Sequence, residues 1–184
     1  MKHVFPSVTV ALMAFLAVFA IQANAKAPVL KAGSPIIYLA DNLDEDQQLG
    51  WCIDTVGAGF NEKMHAHSCK TETENKTDPR ANDIKFAYND VTGQIESKIF
   101  ENKCMDFSEP TSKKTPFGLL DCSSSETQKF SFDEMKGQIS LSSDPLLCVA
   151  VAQTSKKAGP FMSRDLITEK CDAVDSVYLT WKTK

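Results

Sequence analysis

One sequence unit occurs three times in this chain of 184 residues, and each copy carries a cysteine pair at a matching place: Cys52/Cys69, Cys104/Cys122 and Cys148/Cys171. Shifting the chain by 44 residues lays Lys85-Phe86 on Lys129-Phe130, Tyr88 on Phe132, Gly93-Gln94-Ile95 on Gly137-Gln138-Ile139 and Cys104 on Cys148. A unit this short cannot bury its own apolar face, so the copies must pack on one another around a shared core. The repeats run over approximately 34–90, 91–134 and 135–184.

Residues 1–25 stand outside the repeat and have the pattern of a secretory signal peptide. Met1-Lys2-His3 is a short positive start, Val8 to Ala20 is almost wholly apolar, and Ala23-Asn24-Ala25 offers small residues for cleavage after Ala25. An apolar run of about 13 residues falls short of the roughly 20 that cross a bilayer. The expected mature chain is 26–184, a single secreted domain without membrane insertion, or a periplasmic one if the source is a bacterial envelope.

Export accords with an even number of cysteines, which in a secreted chain reads as a disulfide framework. Zinc sites usually bring two cysteines within a few residues, whereas these pairs lie 17, 18 and 23 residues apart. Equivalent units should close equivalent loops, so the expected bridges are Cys52–Cys69, Cys104–Cys122 and Cys148–Cys171. Loops of this length would each contribute about 3 kcal/mol by restricting the unfolded chain. Charge narrows the partners: Lys and Arg number 20 against 24 Asp and Glu, with no basic cluster, which argues against nucleic acid or an anionic membrane.

Short β-branched or aromatic runs divided by Gly, Pro, Asn, Asp and Ser read as strands, among them Pro35 to Leu39, Trp51 to Asp54, Lys85 to Tyr88, Gly93 to Ile95, Gly137 to Leu141 and Leu147 to Val151. Asp90 to Gly93 and Asp133 to Gly137 look like hairpin turns. No helical periodicity is sustained after Ala25, and many short strands need closure to protect their edges. The expectation is an all-β structure in which Phe86, Phe130 and Trp181, one per repeat, fill a common core.

By unit, the chain reads Cys52-Ile53-Asp54, Cys69 and Phe86; then Cys104-Met105-Asp106, Cys122 and Gln128-Lys129-Phe130; then Cys148-Val149-Ala150, Cys171 and Leu179-Thr180-Trp181. This resembles the ricin B-type lectin family, whose repeat runs Cys-Leu-Asp, a second cysteine, then Gln-x-Trp. The resemblance covers roughly Ser34 to Lys184 and implies a β-trefoil with one disulfide and one possible sugar pocket per repeat.

A sugar pocket needs a carboxylate to accept paired hydroxyls, a flat side chain to stack on the pyranose, and further polar groups. The family's pocket aspartate falls on Asp54 and Asp106, with Ala150 in the third repeat, and its platform falls on His67, Leu120 and Glu169. The first repeat alone keeps a full set, Asp54, His65, His67 and Asp83, and is the expected sugar site. Asp106 and Gln128 make a weaker second one. His67, titrating near the usual 6.5, would give binding a pH signature. His65, His67 and Cys69 also have spacing that could hold a metal, but a bridged Cys69 leaves two nitrogens without a third ligand, so no metal or cofactor is expected. Lys70 to Asp83 is an extra polar loop containing the sequon Asn75-Lys76-Thr77, usable in a eukaryotic secretory pathway.

No nucleophile with a supporting base, phosphate-binding glycine loop or free thiolate emerges, so an enzyme is not expected. The expected activity is binding of glycans or glycoproteins. Two alternatives remain: a trefoil scaffold for protein interactions, and a Kunitz-type protease inhibitor, whose two disulfides and N-terminal Asp-Gly signature this chain lacks.

Overall fold

The structure is a computed structural model describing residues 26–107 and 116–184. The expected signal peptide, 1–25, lies outside the described residues. Fourteen strands are present among the described residues: β1 (Ile37–Leu39), β2 (Trp51–Thr55), β3 (Met64–Ser68), β4 (Phe86–Asn89), β5 (Gln94–Ser97), β6 (Lys103–Phe107), β7 (Phe117–Asp121), β8 (Phe130–Asp133), β9 (Gln138–Leu141), β10 (Asp144–Val151), β11 (Lys156–Ala158), β12 (Phe161–Arg164), β13 (Leu166–Lys170) and β14 (Trp181–Thr183). One helical turn, α1 (Pro79–Asn82), interrupts the first repeat. It follows from local chemistry that sequence periodicity could not reveal, because Asp78 caps it by accepting from the Arg80 amide and Pro79 supplies a helical φ at its start.

All pairings among the described residues are antiparallel, and they build three four-stranded groups, β14-β1-β2-β3, β4-β5-β6-β7 and β8-β9-β10-β13, the first of which β12 and β11 extend to a six-stranded sheet. The first strand of each group belongs to the end of the preceding repeat. Phe86 faces Ser97, Phe130 faces Leu141, and Trp181 faces Leu39, so the C-terminal strand closes the ring on the first. This is the β-trefoil, with the three expected disulfides each inside one repeat at Cα separations of 5.0, 4.9 and 5.0 Å.

Phe86, Phe130 and Trp181 are buried in one core with Trp51, Ile53, Met105, Ile139 and Val149. The indole nitrogens, which would be costly to bury unbonded, donate to Asn42 and Val149 carbonyls, each at 2.8 Å. Both expected hairpins form, β4–β5 and β8–β9, and the glycine ending each turn is also a junction: Phe130 N–H donates to the Gly93 carbonyl at 2.7 Å and Trp181 N–H to the Gly137 carbonyl at 2.6 Å. Gly137 has φ +69°, and a Cβ there would lie 2.8 Å from the Trp181 carbonyl oxygen.

Two insertions break the threefold pattern on one side. The long third-repeat segment forms the β11–β12 hairpin, which leaves its own repeat and pairs with β3, setting Ser163 against His67 and Arg164 against Ala66. Ser68 fastens it, donating to Glu45 and accepting the Met162 amide at 3.0 Å, while the Arg164 guanidinium lies 4.8 Å from the Trp51 ring.

Gly137→Ala combines a left-handed backbone with a backbone clash at a repeat junction and should cost about 1–3 kcal/mol in denaturant unfolding. Met135→Ala, two residues away and fully exposed, should be neutral within about 0.5 kcal/mol. Equal stability of the two variants would show that the junction does not depend on the glycine.

Candidate functional site

The β2–β3 pairing sets Cys52 opposite His67 and Asp54 opposite His65, and the other repeats reproduce the register, with Cys104 opposite Leu120, Asp106 opposite Gly118, Cys148 opposite Glu169 and Ala150 opposite Ile167. Residues paired by position along the sequence are therefore equivalent in space. Their chemistry differs from repeat to repeat.

In the first repeat Asp54, His65, His67 and Asp83 come together, joined by a group that sequence reasoning passed over as loop. Lys70, directly after Cys69, turns its ammonium inward, meeting Asp83 Oδ1 and lying 3.1 Å from Asp54 Oδ2. Both carboxylates are fully buried. Asp83 Oδ2 accepts the Gly59 amide at 2.9 Å and Asp54 Oδ1 accepts the Thr55 amide at 2.7 Å. Asp54 Oδ2 has the Lys70 ion pair at 3.1 Å, lies 3.6 Å from His67 Nδ1, and has no further donor among the described residues. The His65 Nε2 atom is likewise buried and without a partner among them.

Burial dominates the titration of Asp54, His65 and His67. It pushes the Asp54 carboxyl up to about 7, assisted by Asp83 and opposed by Lys70. It pulls His65 down to about 4, helped by the neighbouring His67 and Lys70. His67 is lowered too, by burial first, against a bond between its Nδ1 and the Ser68 carbonyl at 2.9 Å. The expected pH signature near 6.5 is thereby displaced downward: a buried ring has no water to stabilise its cation, so His67 takes up its proton below its ordinary value.

Outside this cluster opens a cleft of about 430 Å³. His67 and Lys70 form its inner wall, while Asp54, His65 and Asp83 lie behind them. The outer walls come from both insertions. Thr71, Thr73, Arg80 and Ala81 belong to the polar loop, and Phe161 and Pro160 to the third-repeat hairpin. The Phe161 ring stands edge-on to His67 with centroids 5.4 Å apart. The available signal for Phe161 was the excess length between Cys148 and Cys171, 23 residues against 17 and 18, which marked an insertion without saying where it would fold.

The second repeat holds its polar groups in its own loop. Asp106 accepts from Thr127 Oγ1 at 2.9 Å, and Gln128 accepts the Ser123 amide at 2.8 Å while donating to the Asp121 carbonyl at 2.9 Å. Asn75 is exposed on the first-repeat loop and accepts from both the amide and the hydroxyl of Thr77.

The model of the ricin-type β-trefoil lectin domain matches residues 91–183, half of the chain. The chain belongs to this family. The match takes in the second and third repeats, including the hairpin that supplies Pro160 and Phe161 to the cleft, and the first repeat lies outside it. No curated protein matches in sequence. Among solved structures, the C-terminal half of an earthworm R-type lectin in complex with GalNAc superposes with a TM-score of 0.54 at 14% identity, over 82% of this chain and 98% of that one. The mdaA-1 domain superposes at 0.50 and 14% identity, over 86% and 96%. GalNAc-T7, in a structure with UDP, GalNAc and Mn²⁺, superposes at 0.50 and 11% identity over 73% of this chain, which spans 20% of that enzyme.

Asp54 takes up a proton on folding between its ordinary 3.8 and about 7, so its stabilising contribution is complete below pH 3.8 and is lost as pH rises through 7. His65 runs in the opposite sense, with a contribution complete above 6.5 and lost as pH falls toward 4. The two offset each other from pH 4 to 6.5. His65→Gln should uncover the Asp54 arm, so that stability relative to wild type falls with rising pH by up to about 1.4 kcal/mol per pH unit. Urea unfolding at pH 4.5 and 6.5 measures this. Parallel profiles for the two proteins would rule out the assignment.

Proposed function

We propose that the protein is an exported carbohydrate-binding module that takes a glycan in the first-repeat cleft and performs no catalysis. The observation carrying this reading is the cleft, which lies against His67, the residue the resemblance assigns to the sugar platform, and joins an aromatic wall to a polar one. Phe161 and His67 supply apolar faces for a pyranose ring, and Thr71, Thr73 and Arg80 supply hydroxyl and guanidinium groups for its oxygens. Asp54 and Asp83 act from behind, fixing Lys70 and, through it, the inner wall. Asp106 and Gln128 bond within their own loop, which favours one pocket over two. Export is supported by the leader-like residues 1–25 and by three disulfides, which persist in oxidising compartments.

The relatives suggest probes. The earthworm lectin domain has been solved with GalNAc and, as a mutant, with 6'-sialyllactose, so glycans ending in N-acetylgalactosamine, galactose and sialic acid make up the first panel. A single pocket should bind weakly and show clearly on multivalent surfaces, where linkage raises the effective concentration.

One observation favours a second reading, a trefoil that serves as a protein-interaction scaffold: the Lys70 ammonium fills the space in front of Asp54 that a sugar's paired hydroxyls would need.

Phe161→Ala should lower avidity for the best glycan on such a surface by about tenfold or more, from loss of the stacking face. Asp106→Ala should leave it within about twofold, since that residue lies in another repeat. Binding that survives Phe161→Ala but is lost with Asp106→Ala would move the site to the second repeat, and absence of binding across the panel would favour the scaffold.

A further inference from the structure

The cluster behind the cleft contains the parts of an acyl-transfer site turned on itself. Lys70 Nζ, a nucleophile once deprotonated, meets the Asp83 carboxyl, and both side chains are buried, with relative exposures of 9% and 0%. A second carboxyl, Asp54, lies 3.1 Å from the same nitrogen and is fully buried, and its Oδ2 has no donor besides that ammonium among the described residues. The Gly59 amide donates to Asp83 Oδ2 at 2.9 Å, where negative charge would develop if the carboxyl carbon were attacked. We propose that Lys70 and Asp83 become joined by a side-chain amide bond that the folded protein forms on its own, with Asp54 carrying the protons.

The step balances without any external reagent. Asp54 relays a proton from the Lys70 ammonium to Asp83 Oδ1, and the freed amine lone pair attacks the neutral carboxyl at Asp83 Cγ to give a tetrahedral adduct whose negative oxygen, Oδ2, is held by Gly59 N–H. Asp54 then carries a second proton from the nitrogen to the Oδ1 hydroxyl, and the C–Oδ1 bond breaks as Oδ2 reforms the carbonyl, releasing one water. An ammonium and a carboxylate become a neutral amide, and net charge is conserved.

In water this condensation is unfavourable. Here the fold holds the two groups in contact, which replaces an encounter by an effectively intramolecular reaction, and amide formation removes two buried charges that are costly to keep. The raised Asp54 carboxyl, which exchanges its proton near neutral pH, suits the shuttle role.

The bond has a structural purpose. Lys70 and Asp83 are the two ends of the polar insertion, 13 residues apart, and this insertion forms one wall of the cleft. Thr71 to Arg80 is almost wholly exposed and brings little apolar surface to hold it. A covalent tie, next to the Cys52–Cys69 bridge, would fix that wall whether or not a glycan ever binds.

The test is mass spectrometry of the full exported chain, unfolded and with its disulfides reduced. The proposal expects the chain to be lighter than its sequence by one water, and a proteolytic digest to yield a branched peptide linking Lys70 to Asp83. Lys70→Arg should have the full mass, and so should a folded Asp54→Ala. Full mass in the folded wild-type protein overturns the proposal, as does a one-water loss mapping to a cyclic imide elsewhere. A folded Asp54→Ala that still carries the bond overturns the role given to Asp54.

Discussion

No repeat of this protein completes its own sheet, and that constraint organises the rest. The aromatic strand ending each repeat is the first strand of the next repeat's group: β4 pairs with β5, β8 with β9, and β14 closes the ring on β1. The rings those strands carry, Phe86, Phe130 and Trp181, therefore point to one core that belongs to no single repeat. A lone copy would expose both an aromatic side chain and a sheet edge, so neither the core nor the hydrogen-bond ladder exists until all three are present. Each disulfide then ties the third strand of one group to the residue just past its fourth strand, Cys52 to Cys69, Cys104 to Cys122 and Cys148 to Cys171, outside the shared core.

What the sequence revealed is what the repeat repeats. The cysteine pairs and the buried aromatics recur once per repeat, the hairpin glycines Gly93 and Gly137 recur in two, and repetition separates signal from local noise in a single chain. What it hid is what occurs once. Phe161 reaches the first repeat only because its hairpin pairs across to β3, a contact between residues almost a hundred positions apart that leaves no local pattern. Lys70 reads as the start of a polar loop, and its inward turn is decided by Asp54 and Asp83, neither of which is its sequence neighbour. The short helix at Pro79 is too brief for any periodicity. His67 has a pKa that depends on how much of the ring β12 and Phe161 cover, which spacing cannot express.

Function and scaffold thus obey different symmetries. The threefold core supplies stability and a repeated register, and the candidate site arises where two insertions, one from the first repeat and one from the third, depart from it on the same side. The second repeat, with no such additions, has the family's aspartate and glutamine but uses both to hold its own loop. In the first repeat the aspartate is retained but buried behind a lysine, so the cleft is walled by Phe161 and the insertion with the edge of a largely buried His67 at its base, residues outside the family's repeat pattern apart from the platform position itself.

The central claim is that the ligand occupies the cleft between those two insertions. Amide chemical-shift mapping during titration with the best glycan of a terminal-sugar panel tests it directly. The account predicts perturbations concentrated at Gly57 to Gly59, His67, Thr71 to Ala81 and Ala158 to Phe161, with the second repeat silent. Perturbations centred on Asp106, Leu120 and Gln128 would contradict it.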